Sequence, residues 1–246
     1  MGDDVGALIA RMEADLADLE AAGDRRRHFH ATYLRTTRAV ADEIARGGFV
    51  DGDWMRRWDV AFAEFYLDAL DADRAGRPVA GPWRIAFDAA RDRTDLPPLR
   101  HVLLGMNAHI NYDLPQALLA VITPADFDDA ALMARRAADH AHVDAVLLAR
   151  VGAEDDALQA EGGRRLIDRL LNPLNRAGTR RFLAEARRKV WRNTIALDRA
   201  RRQSPGEYAA RLAELEQLSA ARLTDLVAPG QVLLKLARRG FGVLLP

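Results

Sequence analysis

Apolar residues recur at three- and four-residue spacing along almost the whole 246-residue chain, and most of these runs are bounded by a capping residue, a glycine or a proline. That period gathers side chains on one face of a helix, whereas a half-buried strand needs alternation at every second residue. Val5, Leu8, Ile9, Met12, Leu16 and Leu19 form a first stripe, ended by Gly23. Phe29, Tyr33, Val40 and Ile44 form a second, ended by Gly47-Gly48. Asp53 reads as the N-cap of a third helix carrying Trp54, Trp58, Phe62, Phe65 and Ala69. No alternation of strand length, internal repeat or low-complexity linker interrupts the pattern. The expected fold is all-α, an irregular multi-helix bundle forming one domain over residues 1–246.

Local start and stop signals continue along the chain. Pro82 suits the first position of a short helix through Trp83, Phe87 and Ala90. After the break at Asp95-Leu96-Pro97-Pro98, a helix from about Leu99 is apolar on all sides, as a central helix should be. Asp113-Leu114-Pro115-Gln116 reads as a restart, with Asp113 as N-cap and Gln116 as its reciprocal partner. Thr123-Pro124-Ala125-Asp126 repeats that grammar and opens a helix with His140, Val143, Leu147 and Val151. A helix weakened by Gly162-Gly163 is expected over 158–174, and another carries Phe182, Ala186, Val190, Ile195 and Leu197. Ser204-Pro205-Gly206-Glu207 starts the next, and a short helix near 231–239 leads to the apolar tail Phe241 to Leu245.

Composition narrows function by exclusion. There are no cysteines, so disulfides and thiolate metal sites are ruled out. Thirty-six basic residues balance 36 acidic ones, which argues against nucleic-acid or anionic-membrane partners. The runs Arg25-Arg26-Arg27, Arg180-Arg181 and Arg187-Arg188-Lys189 read as solvated helix faces. No apolar run is long enough to span a bilayer, and the N-terminus is acidic and amphipathic, unlike a secretory signal. A cytoplasmic location is expected; the composition does not set an oligomeric state.

Phosphate-binding loops, nucleophile elbows and metalloprotease or di-iron helix motifs are absent. What stands out is Gly105-Met106-Asn107-Ala108-His109-Ile110-Asn111-Tyr112-Asp113-Leu114-Pro115. It sets five polar residues in an apolar, central segment, where each must be hydrogen-bonded or destabilise the fold by roughly 1–3 kcal/mol. On a continuous helix His101, Gly105, His109 and Tyr112 share a face, and His109 meets Asp113 one turn on. His109 is then a candidate acid–base group oriented by Asp113, with Tyr112 as a donor. His101, Asn107 and Asn111 are candidate ligand contacts, and Trp58 and Trp83 a candidate aromatic wall, for which core packing is the simpler account. Gly105 would leave room beside the histidines for a ligand or a neighbouring backbone. The spacing His109/Asp113 and His140/Asp144 also suggests two chelating pairs for one ion. Asp126 to Asp129 read as helix-start acids, and His28 and His30 as surface residues.

The segment LLGMNAHINYDLP resembles the hallmark of a bacterial family known as domain of unknown function five-nine-nine-five. The Trp58–Tyr66 segment, Pro82 to Phe87 and Trp191 are similar too, so the resemblance covers most of the chain. It implies that Asn107, His109, Asn111 and Asp113 belong to the family's pattern, and it implies no activity or cofactor. Three readings therefore stand: a small-molecule enzyme or binding domain using acid–base chemistry (cyclisation, isomerisation or hydrolysis), a non-catalytic scaffold with a buried polar network, and a metal-dependent hydrolase or oxygenase.

Overall fold

Burying one apolar stripe per helix leaves the chain few ways to arrange itself, and the computed structural model, which describes residues 4–161 and 173–246, is all-α with no strand among them. The helices are α1 (Asp4–Ala21), α2 (Arg27–Ala45), α3 (Gly52–Arg74), α4 (Gly81–Asp92), α5 (Pro98–Ala108) and α6 (Leu114–Val121). They continue with α7 (Ala130–Glu161), α8 (Pro173–Gln203), α9 (Pro205–Val227) and α10 (Val232–Arg239). The expected helix over 158–174 with its Gly162-Gly163 interruption falls largely outside the described residues, as do the side chains of Val151 and Phe182. Among the described residues no helix is long and apolar enough to cross a membrane.

Two of the expected start signals hold, and the cap of α3 shifts. Ser204 Oγ accepts the Glu207 N–H at 3.0 Å and starts α9, with Pro205 in its first turn. Thr123 and Asp126 exchange reciprocal side-chain-to-backbone hydrogen bonds, though the turn they open is a 3₁₀ turn at Asp126–Asp128 that precedes α7. The cap of α3 is Asp51, which accepts the Trp54 N–H at 2.8 Å, while Asp53 lies inside the first turn and pairs with Arg56. Asp51 wins because its own loop is held in place: the Val50 and Asp51 N–H groups donate to the Asp139 carboxylate of α7, at 2.7 and 2.9 Å.

The central helix does not restart at Asp113. α5 and α6 are joined by a single wide π turn, His109–Asp113, in which the Leu114 N–H reaches back to the His109 carbonyl. Asp113 keeps helical backbone angles (φ −79°, ψ −39°) and its side chain caps nothing; Gln116 donates instead to the Tyr112 carbonyl at 2.8 Å. The reason is Pro115, which has no N–H for the carbonyl four residues back, so the turn before it widens and the helix runs on. The α5 half of this rod packs on α2, α4 and α9, and the α6 half on α3 and α8. A core containing Leu8, Tyr66, Trp83, Leu104, Leu118 and Phe241 surrounds it. A smaller apolar cluster of Leu119, Leu197, Leu215, Val243 and Leu245 lies beside it.

Candidate functional site

The π turn distributes the polar motif over different sides of the central rod. On one side His109 Nδ1 lies 2.9 Å from Asp113 Oδ2, and the same oxygen accepts the Trp83 indole N–H of α4 at 2.8 Å. With no proton on Asp113 Oδ2, an oxygen that already accepts the Trp83 N–H takes a second donor, which puts the proton on Nδ1 and leaves Nε2 a lone pair. The imidazole is 2% exposed and lies flat on Phe62 of α3, with the Tyr33 ring of α2 edge-on at 4.5 Å. Burial holds its pKa well below the usual histidine range and pushes Asp113 well above the carboxylate range, the latter opposed by the Trp83 N–H.

Beside this pair is a cavity of about 120 Å³ between α2, α3, the central rod, α7 and α8. His109, Tyr33, Trp58 and Asp59 all line it. Each contributes a buried polar atom with no hydrogen-bond partner among the described residues: His109 Nε2, the Tyr33 hydroxyl, Trp58 Nε1 and Asp59 Oδ2. Asp59 is 4% exposed, and burial alone pushes its carboxyl up to about 7. Arg187 adds two more, Nε and Nη1; burying a polar group without a partner is costly, so orphans gathered around one void mark a place built for something other than packing. Arg187 and Asp144, paired with each other, also line it, so Arg187 is not the solvated residue its basic run suggests.

The other side of the motif is occupied by protein. Asn107 donates to the Leu103 carbonyl at 3.0 Å and accepts from Asn111 at 3.0 Å. Asn111 in turn clamps the tail, donating to the Phe241 carbonyl at 3.1 Å and accepting the Val243 N–H at 3.2 Å. Asn193 of α8 repeats the clamp one step on, at the Val243 carbonyl and the Leu245 N–H. These amides therefore face away from the cavity. Tyr112 packs on the smaller apolar cluster and is absent from the cavity wall.

His101 sits 4% exposed in a separate crevice with Arg25, Arg26 and Gly105, its ring stacked 6.1 Å from His28 and its pKa pushed down to about 4, chiefly by burial. Trp83 is buried and lines that crevice; it meets the site through its hydrogen bond to Asp113 and a tilted ring contact with His109 at 6.0 Å, without lining the cavity. His30, read as a surface residue, is fully buried: its nitrogens meet the Tyr66 hydroxyl at 2.9 Å and the Met12 carbonyl at 2.8 Å. The neighbouring arginines are no solvated face either: Arg26 is 15% exposed and pairs with Asp24 and Asp73.

His109 with Asp113, and His140 with Asp144, do not come together as one set of ligands. Asp113 is engaged by Trp83 and Asp144 by Arg187, while His140 lies between Trp58 and Trp191. Among the described residues no group of three or more His, Asp or Glu side chains could hold a metal ion. Tyr33 and Asp59 were the residues sequence reasoning missed. Asp59 had a readable signal: it stands in register with Met55, Phe62 and Tyr66 on the apolar face of α3.

No curated protein and no solved structure matches the chain. A family model does match residues 5–229, which include every residue of the cavity wall, while the clamped tail from Phe241 onward lies beyond the match. The chain belongs to the family of unknown function DUF5995.

Proposed function

We propose that the cavity binds a small organic molecule and that His109 is its acid–base group. The observation that carries this reading is the division of labour in one ring: Nδ1 is held by Asp113, while Nε2 has no partner among the described residues and the ring forms part of the cavity wall. His30 has both nitrogens engaged by protein, and His140 Nε2 and the two His101 nitrogens, though unpartnered, belong to residues that do not line this cavity. A neutral imidazole fixed by a carboxylate and an indole is a competent base for cyclisation, isomerisation or hydrolysis. The volume suits a ligand about the size of a small ring, since a dry protein cavity of about 150 Å³ accommodates benzene. The absence of cysteine and the balanced charge support a cytoplasmic setting without nucleic-acid or membrane partners.

The scaffold reading has one observation in its favour, the complete use of Asn107 and Asn111 in holding the tail. The two readings separate by ¹⁵N-histidine NMR in the presence of phenol, benzyl alcohol and cyclohexanol. A binding site gives a His109 Nε2 resonance that moves with at least one probe, and a His109→Gln variant that stays folded but binds more weakly. A scaffold gives a resonance that none of the probes moves, a His109→Ala variant that unfolds readily, and rescue by Gln.

A further inference from the structure

We infer that Asp59 is the second proton-transfer group of the cavity, working with His109, and that the site isomerises small uncharged carbonyl compounds. This rests on the acid–base reading above and names its reaction class. Asp59 stands three residues before Phe62 on α3, and Phe62 carries the His109 ring on its face. Both side chains line the same void, and Tyr33, whose ring is 4.5 Å from that of His109, lines it with them.

The carboxyl has no cation to answer it. The charged and titratable groups lining the cavity beside it are Tyr33 from α2, His109 from the π turn, Asp144 from α7 and Arg187 from α8. The last two pair with each other through Arg187 Nη2, Arg187 Nε and Nη1 having no partner among the described residues, and burial is the sole cause of the Asp59 shift. An unpaired buried carboxyl is most stable when protonated, and its proton is then free to be donated. Burial accordingly lifts Asp59 to about 7, so the acid form is well populated at neutrality while His109 stays a neutral base. One acid and one base in an apolar site are what enolisation needs.

The step balances without any co-reactant. In a β,γ-unsaturated carbonyl compound His109 Nε2 takes a proton from the carbon between the carbonyl and the double bond, and the C–H electron pair becomes a second carbon–carbon double bond conjugated with the first. The carbonyl π pair moves to oxygen, which takes the Asp59 proton, leaving an enol, an imidazolium and a carboxylate. On the return the enol O–H proton goes back to Asp59, and the imidazolium delivers its proton to the far end of the conjugated system. The product is the isomeric carbonyl compound, and both side chains are restored. Apolar walls such as Val40, Ile110 and Leu147 favour an uncharged substrate.

The test uses the full chain with cyclohexanone in D₂O, followed by proton NMR, and then 3-cyclohexen-1-one. Binding broadens the cyclohexanone signals, and catalysis replaces its α-protons by deuterium faster than buffer does. His109→Gln should abolish the exchange. Asp59→Asn should slow it by about a hundredfold while the broadening persists, and should remove the fall in rate as pH rises through neutrality. 3-Cyclohexen-1-one should convert to its conjugated isomer. Broadening without faster exchange overturns the isomerase assignment and leaves the acid–base reading standing. Full exchange in folded Asp59→Asn overturns the role of Asp59. Absence of broadening overturns the substrate class together with the inference.

Discussion

Phe62 lies flat against His109, with 3.7 Å between ring centroids and 3° between their planes. The stack does two things at once. It fixes the plane in which Nε2 points, and it removes water from the face where an imidazolium would be hydrated, so the positive form is disfavoured. Phe62, contributed by a different helix, thus helps to set both the position and the protonation state of the candidate base, beside the Asp113 hydrogen bond and the rings of Phe29 and Tyr33.

Phe62→Leu should therefore loosen both together. The substitution shortens the wall of the cavity and costs roughly 1–3 kcal/mol, as core changes of this size do. In ¹⁵N-histidine NMR the His109 titration should move up toward the ordinary histidine range. A titration that stays where it was in a folded variant would show that Phe62 contributes packing alone.

Acid stability should report the buried histidines. His30, His101, His109 and His140 all have pKa values lowered from 6.5, chiefly by burial. Each binds its proton more readily in the unfolded chain, so stability falls as pH drops below about 6.5. Asp59 and Asp113 act oppositely: with folded pKa values above 3.8, they favour the folded state at low pH and lose that advantage as pH rises, for Asp59 through about 7. Of these groups only the two carboxyls act between pH 8 and about 6.5, so melting temperatures should rise at first as acid is added; below about 6.5 the histidines oppose that rise, less so in His140→Gln. Asp59→Asn should stabilise the chain more at pH 8 than at pH 5. A His140→Gln melting profile parallel to that of the parent protein at every pH would contradict a buried neutral His140.

The tail should detach when its clamp is cut. Asn111→Leu removes two hydrogen bonds to residues 241 and 243 and strands the Asn107 amide, a loss of about 2–4 kcal/mol. Hydrogen exchange should show the Val243 amide losing protection while helix α3 keeps its own. Asn193→Ala should release Leu245 in the same way.

How far these features could be read in the sequence depends on how local their causes are. The α3 stripe and the Ser204 cap are encoded within a turn or two of chain, and both are where the pattern puts them. Asp113-Leu114-Pro115-Gln116 has the letters of a helix start, yet the same proline is absorbed by a wide turn because the surrounding helices hold the rod straight on both sides. The side chain freed from capping is the one that orients His109. The roles of Asn111 and Asn193 were illegible, because their partners are a tail 130 and 50 residues away that carries no polar side chain of its own. Arg187 looked solvated because its partner Asp144 is 43 residues away on another helix.

Gly105 offers the sharpest packing test, since it determines how closely α5 approaches α2. A Cβ at this position would stand 2.2 Å from Cγ of Phe29, so the space sequence reasoning assigned to a ligand or a backbone holds an aromatic ring instead. Phe29 cannot simply swing aside. Its ring is stacked 5.7 Å from Tyr33, edge-on 5.0 Å from Tyr66 and tilted 5.7 Å from Trp83, and it lines the cavity beside His109. Gly105→Ala should then cost about 1–3 kcal/mol by overpacking, despite alanine's better helix propensity. Phe29→Ala should cost about 3–5 kcal/mol by leaving a void. Combined, the two should fall short of their sum by roughly 0.5–3 kcal/mol, because the new methyl meets a space instead of a ring. Chemical denaturation of the four proteins in the cycle measures this directly. Strictly additive losses would mean that the strain of Gly105→Ala is taken up by the α5 backbone and not by Phe29. In that case the His109 ring should move with the helix, and its Nε2 resonance should shift in Gly105→Ala as well.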